Sequence, residues 1–292
     1  MDFENCAPPS SNLGTLLGMG NLIWLASYPK SGNTWLRAFM HNFLRDAPEP
    51  HDIDALADLT AAENMAGLYR PYDPRPASQY SIADVQRMRP AVHRDLTGVY
   101  PDLVMVKTHN AVVKVEGMPL LTPEVTAGAI YILRDPRDVV ISYSHHLGWS
   151  IDRTIAFMAD EAAATGGTDA KVYEHHSSWS THVQSWTWNL DPAMRVLRYE
   201  DMLARPTEAF AKVLRFLGIV PDAERLERAI RHSAFSVLQG QERRHGFIER
   251  SEHTEGFFRF GTAGQWRRIL TTAQTARIER DHDRQMQRFG YL

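Results

Sequence analysis

Cysteine is almost missing: Cys6 is the only one in 292 residues. A disulfide framework and a cysteine-built zinc site are thereby excluded. Lysine is scarce too. Of 32 basic residues only five are lysine, at positions 30, 107, 114, 171 and 212. A chain that so favours arginine keeps a lysine in its most distinctive loop, where a compact ammonium suits a point contact with an oxyanion. There is no broad excess of positive charge, since the net charge is −3. That argues against a nucleic-acid or acidic-membrane partner but leaves room for a small polyanion held by locally concentrated cations. No apolar run approaches a membrane span, so no membrane insertion is expected. Residues 1–29 contain no Lys or Arg, and Asp2 and Glu4 sit where the positive region of an export signal belongs. The expected location is the reducing cytoplasm. The nucleotide loop G-x-x-x-x-G-K-[ST] is absent as well.

What is present is an α/β pattern. Four short apolar runs read as buried parallel strands: 22–27, 103–107, 129–134 and 194–199. Helical patterns separate them. Trp35, Phe39 and Phe43 recur every fourth residue, and Asp135-Pro136 opens another helix as N-cap and first helical position. A third helix spans about 206–217, stopped by Gly218, and the last about 273–289. Strands alternating with helices mean a central, mostly parallel sheet flanked by helices. Residues 1–20, rich in Pro, Ser, Asn and Gly, read as a loose tail, and 21–292 as one domain. The stretch 45–100, with "YRPYDPRPASQY", reads as an irregular excursion over one face.

Ligands of open α/β sheets bind beyond the carboxyl ends of the strands. After the first strand comes Tyr28-Pro29-Lys30-Ser31-Gly32-Asn33-Thr34-Trp35, and after the second Lys107-Thr108-His109. The third ends at Arg134, with Ser142 two helical turns on. Two lysines, an arginine and a histidine thus converge on one edge beside two helix N-termini, which offer unpaired N–H groups and partial positive charge. Such a site suits a ligand with more than one phosphate-like group.

"SYPKSGNTW", "VKTHN" and "YILRDPRDVVISYSHH", continued by "VLRYEDM", "HSAFSVL" and "RFGTAGQW", closely resemble the soluble sulfotransferases that use 3′-phosphoadenosine-5′-phosphosulfate (PAPS). The resemblance spans about 22–276, with 45–100 and 150–190 matching poorly. It implies a P-loop-NTPase-like sulfotransferase fold and transfer of a sulfuryl group from PAPS to a hydroxyl, releasing 3′,5′-ADP without a metal. Carried over by position, Lys30, Ser31, Gly32, Asn33 and Thr34 hold the 5′-phosphosulfate. Arg134, Ser142, Arg259 and Gly261 hold the 3′-phosphate, and Trp35 and Phe235 sandwich the adenine with Tyr199 and Ser233 nearby. Lys107 steadies the moving sulfuryl group and His109 is the general base. Cations at the leaving oxygens stabilise the transition state more than the ground state, and a near-neutral histidine can take a hydroxyl proton.

The family often has a basic residue where Phe260 stands here, between Arg259 and Gly261. Its dimerisation motif falls on Arg267, Thr271, Thr272 and Ala276, with only the threonine retained, which leaves the oligomeric state open. The acceptor expected is a small hydroxylated molecule, a phenol or an alcohol, but the sequence leaves phenols, steroid-like alcohols, lipids, glycans and antibiotic scaffolds all open. Tyr69, Tyr72, Tyr143 and Phe157 tilt the reading towards an aromatic or apolar one, with His146 bordering the pocket. Of the 13 histidines, His175 and His182 could share a face, but no carboxylate or cysteine completes a metal site. Trp179, Val183 and Trp186 read as core. Two alternatives remain: a nucleotide or sugar kinase, which needs the Gly-Lys-Ser/Thr order and a Mg²⁺-holding hydroxyl, and a non-catalytic 3′,5′-ADP-binding protein, which needs neither Lys107 nor His109.

Overall fold

In this computed structural model the first apolar run forms strand β1, Leu22–Ser27, buried along its whole length. The described residues are 21–188 and 193–292; the 1–20 tail with Cys6 lies outside them. Strands β2 (Thr60–Ala62), β3 (Val104–Thr108), β4 (Thr126–Leu133) and β5 (Met194–Arg198) complete a parallel sheet in the order β2-β3-β1-β4-β5. Leu25 pairs with Lys107 on one side and Ile130 on the other, so the carboxyl ends of β3, β1 and β4 finish level. That registration brings the three motif-bearing loops together.

Both faces are covered, which is why β1 reads as a continuous apolar run rather than an alternating one. Ile23 and Leu25 pack against Leu36, Phe39, Met40 and Phe43 of helix α1 (Asn33–Arg45). Trp24, Ala26 and Tyr28 face the other way, onto Val139, Tyr143, Trp179 and Val183. Trp186 joins that core as well, as the spacing predicts.

The 45–100 stretch is more regular than its composition suggests. It supplies edge strand β2 and helix α2, Ile82–Leu96, opened by a Ser81–Asp84 capping box. Pro90 lies inside α2, and its buried face carries Gln86, Arg89 and His93 beside Val85 and Val92, so no clean apolar stripe marks it. The Asp135-Pro136 start is found as read, Asp135 accepting from the Arg137 N–H at the head of α3 (Pro136–Leu147). Then come α4 (Ile151–Ala159), α5 (Trp179–Thr187), α6 (Tyr199–Ala204), α7 (Pro206–Phe216), α8 (Ala223–His232), α9 (Phe235–His245), α10 (Trp266–Ile269) and α11 (Thr272–Arg288).

Candidate active site

A cleft of about 220 Å³ opens at the carboxyl edge of the sheet. Its floor is the β1–α1 loop. Lys30 has φ 66°, a left-handed conformation uncommon for a residue with a side chain, and Gly32 has φ 109°. A Cβ at Gly32 would lie 2.8 Å from the Tyr199 ring, so the close approach of this loop to α6 requires glycine. Gly32 also caps α1 without a side-chain acceptor, so the helix's first N–H groups face the cleft unshielded. Asn33 turns back, its amide donating 2.8 Å to the Leu25 carbonyl.

The cations are held in a network with one carboxylate that no motif reveals. The Lys30 ammonium sits 3.5 Å from the centre of the Phe257 ring. Burial lowers its pKa to about 7, with Lys107 and Arg134 acting the same way and Glu249 opposing them. Glu249 accepts from Arg37 at 2.6 Å, from Lys107 at 3.2 Å and from the Thr34 hydroxyl at 3.4 Å. Burial works against the charged form of Glu249, but Lys107 and Arg37 hold its carboxyl well below the carboxylate range. Thr34 and Lys107 thus form an oxyanion cradle, here filled by a carboxylate of the chain itself.

Arg134 joins the loops. It donates 3.0 Å to the Lys30 carbonyl and 3.2 Å to the Thr262 carbonyl, with its guanidinium 4.1 Å from the centre of the Tyr199 ring. Asp138 ties the C-terminal loop to α3, accepting from the Gly264 and Trp266 N–H groups at 2.6 and 3.0 Å. Gly261, at φ 62°, lies so close to Phe235 that a Cβ would come within 2.3 Å of its ring. Trp35 is braced edge-on by Tyr199 and Phe210.

Of the residues singled out in the sequence, Lys30, Gly32, Asn33, Thr34, Trp35, Lys107, His109, Arg134, Ser142, Tyr199, Phe235, Arg259 and Gly261 all line this cleft. Ser31 and Ser233 do not. Ser233 is fully buried and donates 2.8 Å to the Ala229 carbonyl, closing α8 instead of facing a ligand. Ser31 is buried with its hydroxyl unpartnered among the described residues. Phe260 is 55% exposed at the rim, beside Arg259. Thr271, the threonine kept from the dimer motif, caps α11.

At the other end stands His109. Its Nδ1 lies 2.8 Å from the Ser27 carbonyl, which can only accept, so Nδ1 carries the proton and Nε2 the lone pair. Burial, then Lys107, pushes its pKa well below 6.5, keeping the imidazole neutral. Behind it, Glu63 is fully buried and takes hydrogen bonds from Arg89 and His93 (both 2.9 Å), from Asn110 at 2.8 Å and from Thr108. The residues on either side of His109 are therefore clamped. His182 contacts the Tyr131 hydroxyl through Nδ1 and the His109 carbonyl through Nε2, so neither ring nitrogen is free to share a metal with His175.

The wall beyond His109 is formed by Asn64, Tyr143, His146, Lys171, Glu174 and His176. Tyr143 and His146 thus border the pocket as read, while Phe157 supports Tyr143 from behind at 6.0 Å. Tyr69 is buried in a separate cluster and Tyr72 bonds to Asp95 at the surface, so the expected aromatic lining is only partly present. Arg37, Glu63, Glu174 and Glu249 escaped the sequence reading. Only Arg37 left a signal, a charge interrupting the apolar face of α1.

The cleft therefore pairs an anion cradle rich in cations with a neutral imidazole whose lone pair faces the cavity. Ser31 Oγ, Trp35 Nε1 and Arg134 Nε are buried without partners among the described residues, and Gly32 and Gly261 let the two loops pack tightly against the Tyr199 and Phe235 rings that line the cleft. These features fit a nucleotide with phosphates at two separated points. A family model described as "Sulfotransferase domain" matches residues 21–290. The chain is 23% identical over 281 residues to Sulfotransferase 1A1 of Canis lupus familiaris, covering 91% of this chain and 83% of that protein. It is 25% identical over 280 residues to Sulfotransferase 1 family member D1 of Mus musculus, with the same coverages. In fold it is similar to mouse sulfotransferase SULT7A1 complexed with PAP (TM-score 0.60, 19% identity, 94% of this chain and 87% of that one). A retinol dehydratase in complex with androsterone and the inactive cofactor PAP is comparably similar (TM-score 0.63, 19% identity, 94% and 83%).

Proposed function

This chain belongs to the sulfotransferase family, and we propose that its 21–292 domain moves the sulfuryl group of PAPS to a hydroxyl of a small acceptor in the cytoplasm, releasing 3′,5′-ADP. When bound, PAPS supplies an activated sulfuryl group on a good leaving phosphate. The chain supplies position and charge. Lys30, Thr34 and the open N-terminus of α1 hold the 5′-phosphosulfate, with Ser31, Gly32 and Asn33 shaping the loop. Arg134, Ser142, Arg259 and Gly261 hold the 3′-phosphate, and Trp35, Phe235 and Tyr199 surround the adenine. Lys107 exchanges the Glu249 carboxylate for a sulfuryl oxygen and neutralises charge as it spreads in the transition state. His109 takes the acceptor's proton on Nε2 while the hydroxyl oxygen bonds to sulfur and the bond to the leaving phosphate breaks; Lys30 meets the charge left there.

The observation that carries this reading is the Nδ1 contact of His109 with Ser27, which fixes the tautomer a base needs. The test begins with a screen of hydroxylated compounds with PAPS, read by 3′,5′-ADP release, in which stronger stabilisation by ATP and Mg²⁺ than by 3′,5′-ADP would favour a kinase. His109→Gln is expected to lower turnover on an alcohol by about 10²–10⁴-fold with 3′,5′-ADP affinity unchanged. A folded, nucleotide-binding variant with wild-type turnover would refute the base.

A further inference from the structure

Glu174 is a buried carboxyl on the cleft wall that no side-chain cation pairs with directly among the described residues. It lines the cleft wall beyond His109 and is 9% exposed. Its position is rigid. Thr165 pairs with it in a two-stranded antiparallel ladder, and the next residue, His175, is stitched to the His109 loop through Asn110 Oδ1 at 2.7 Å and the Ala111 N–H at 2.9 Å. Oε1 accepts the His109 backbone N–H at 3.3 Å, a long bond for a carboxylate. Burial raises the pKa of Glu174, and Lys107 and Lys171 oppose that shift only from beyond ion-pair distance: Lys107 is turned to Glu249, and Lys171 lies exposed at the rim. The imidazoles nearby, His146 and His176, are held neutral by burial, their pKa lowered to about 3. A carboxylate withdrawn from water in such a setting is stabilised mainly by what binds next to it.

We infer that Glu174 is a specificity-determining residue that selects acceptors carrying a protonated amine a few bonds from the hydroxyl to be sulfated. The inference rests on the sulfotransferase reading, because it takes the reacting hydroxyl to sit at His109 Nε2. An ammonium at Glu174 supplies the direct ion pair that neither lysine makes and, through the His109 loop, stands beside the base rather than at the donor end. An apolar phenol or sterol leaves the carboxylate buried and unmatched, so the pocket discriminates against it by the cost of that burial. This chemistry overrides the tilt towards apolar acceptors that the aromatic residues suggest.

The test uses matched pairs in which an ammonium replaces a methyl group: tyramine with 4-propylphenol, 3-(aminomethyl)phenol with 3-ethylphenol, and 4-aminobutanol with pentanol. KM and kcat are measured with PAPS, and binding is measured by calorimetry to the protein alone and to the protein saturated with 3′,5′-ADP. Wild type is expected to favour the amine by about 10-fold or more in at least one pair, a preference worth one ion pair in a partly dry site. Glu174→Gln keeps the oxygen that receives the His109 N–H and removes the charge. It should erase the preference by raising the amine's KM or dissociation constant and lowering the isostere's, with 3′,5′-ADP affinity unchanged. Equal or better binding of the apolar member in every wild-type pair overturns the inference, as does a Glu174→Gln variant that loses kcat on both members alike. Sulfation of the apolar phenols with no amine preference sinks Glu174 alone; absence of both 3′,5′-ADP binding and sulfation, with the amine preference present in direct binding, sinks the sulfotransferase reading alone.

Discussion

Nucleotide binding should draw a proton into the protein, and Lys30 is where it goes. Burial, with Lys107 and Arg134 nearby, lowers its pKa from 10.5 to about 7 against the opposing pull of Glu249. A polyanion on the loop reverses the balance and restores the ammonium. The uptake should then be about 0.1 proton at pH 6, 0.5 at pH 7 and 0.9 at pH 8, from the titration of one site near pH 7. Affinity for 3′,5′-ADP should fall about 25-fold between pH 6.5 and 8.5, since only the protonated site binds well. Calorimetry in two buffers of different ionisation enthalpy reads the uptake directly. Lys30→Arg, whose guanidinium stays charged, should abolish the part centred at pH 7. Glu249→Gln should move the midpoint lower and enlarge the uptake at pH 7, because it removes the one group among these that raises the lysine. The sign for the free protein is opposite. The folded pKa lies below the unfolded value, so the unfolded chain holds the extra proton between pH 7 and 10.5, and this group's contribution to stability rises with pH across that window. Buffer-independent enthalpies and pH-independent affinity from 6.5 to 8.5 would refute the reasoning.

Arg134→Ala should weaken 3′,5′-ADP by about 1.5–3 kcal/mol, the worth of a hydrogen bond to a charged group; wild-type affinity by calorimetry rejects its placement at the 3′-phosphate. Glu63→Gln should cost about 3–5 kcal/mol of stability in denaturant unfolding, because it strands the buried Arg89 guanidinium. Burial opposes the charged form of Glu63, but Arg89 and the His93 hydrogen bond bring its carboxyl down to about 2, so its stabilisation is full above pH 4.5 and is lost as pH falls towards 2; a loss under about 1 kcal/mol at pH 7 shows that the network is dispensable. Gly261→Ala should reduce nucleotide affinity and also cost the free protein about 1–2 kcal/mol or more, since the residue is left-handed and the new methyl meets the Phe235 ring at 2.3 Å; unchanged affinity means that Phe235 does not line the nucleotide.

The parts of this molecule that the sequence made legible are those whose cause is local. Strand β1 agrees to the residue because five apolar positions and Ser27 run into a polar loop, and α3 begins where expected because Asp135 and Pro136 act on their own helix end. Strand β4 starts at Thr126 rather than 129 because Thr126, Ala127 and Gly128 are too small or polar to mark a strand, yet Thr126 and Gly128 pair with β1 on either side of a register shift at Ala127. Helix α2 was invisible for a deeper reason. Its buried face carries Arg89 and His93, which are stable there only because Glu63, more than two dozen residues earlier, meets them across the core. The site divides along the same line. Lys30, Lys107, His109 and Arg134 follow strand ends, so the sheet's topology alone assembles them. Glu249 and Glu174 reach the cleft from segments with no motif, and only the folded chain brings one to Lys107 and the other to the His109 N–H. Motif residues follow strand ends and so could be placed in advance; the two carboxylates that contact Lys107 and the His109 N–H come from segments without a motif, which is why the fold was readable and the acceptor wall was not.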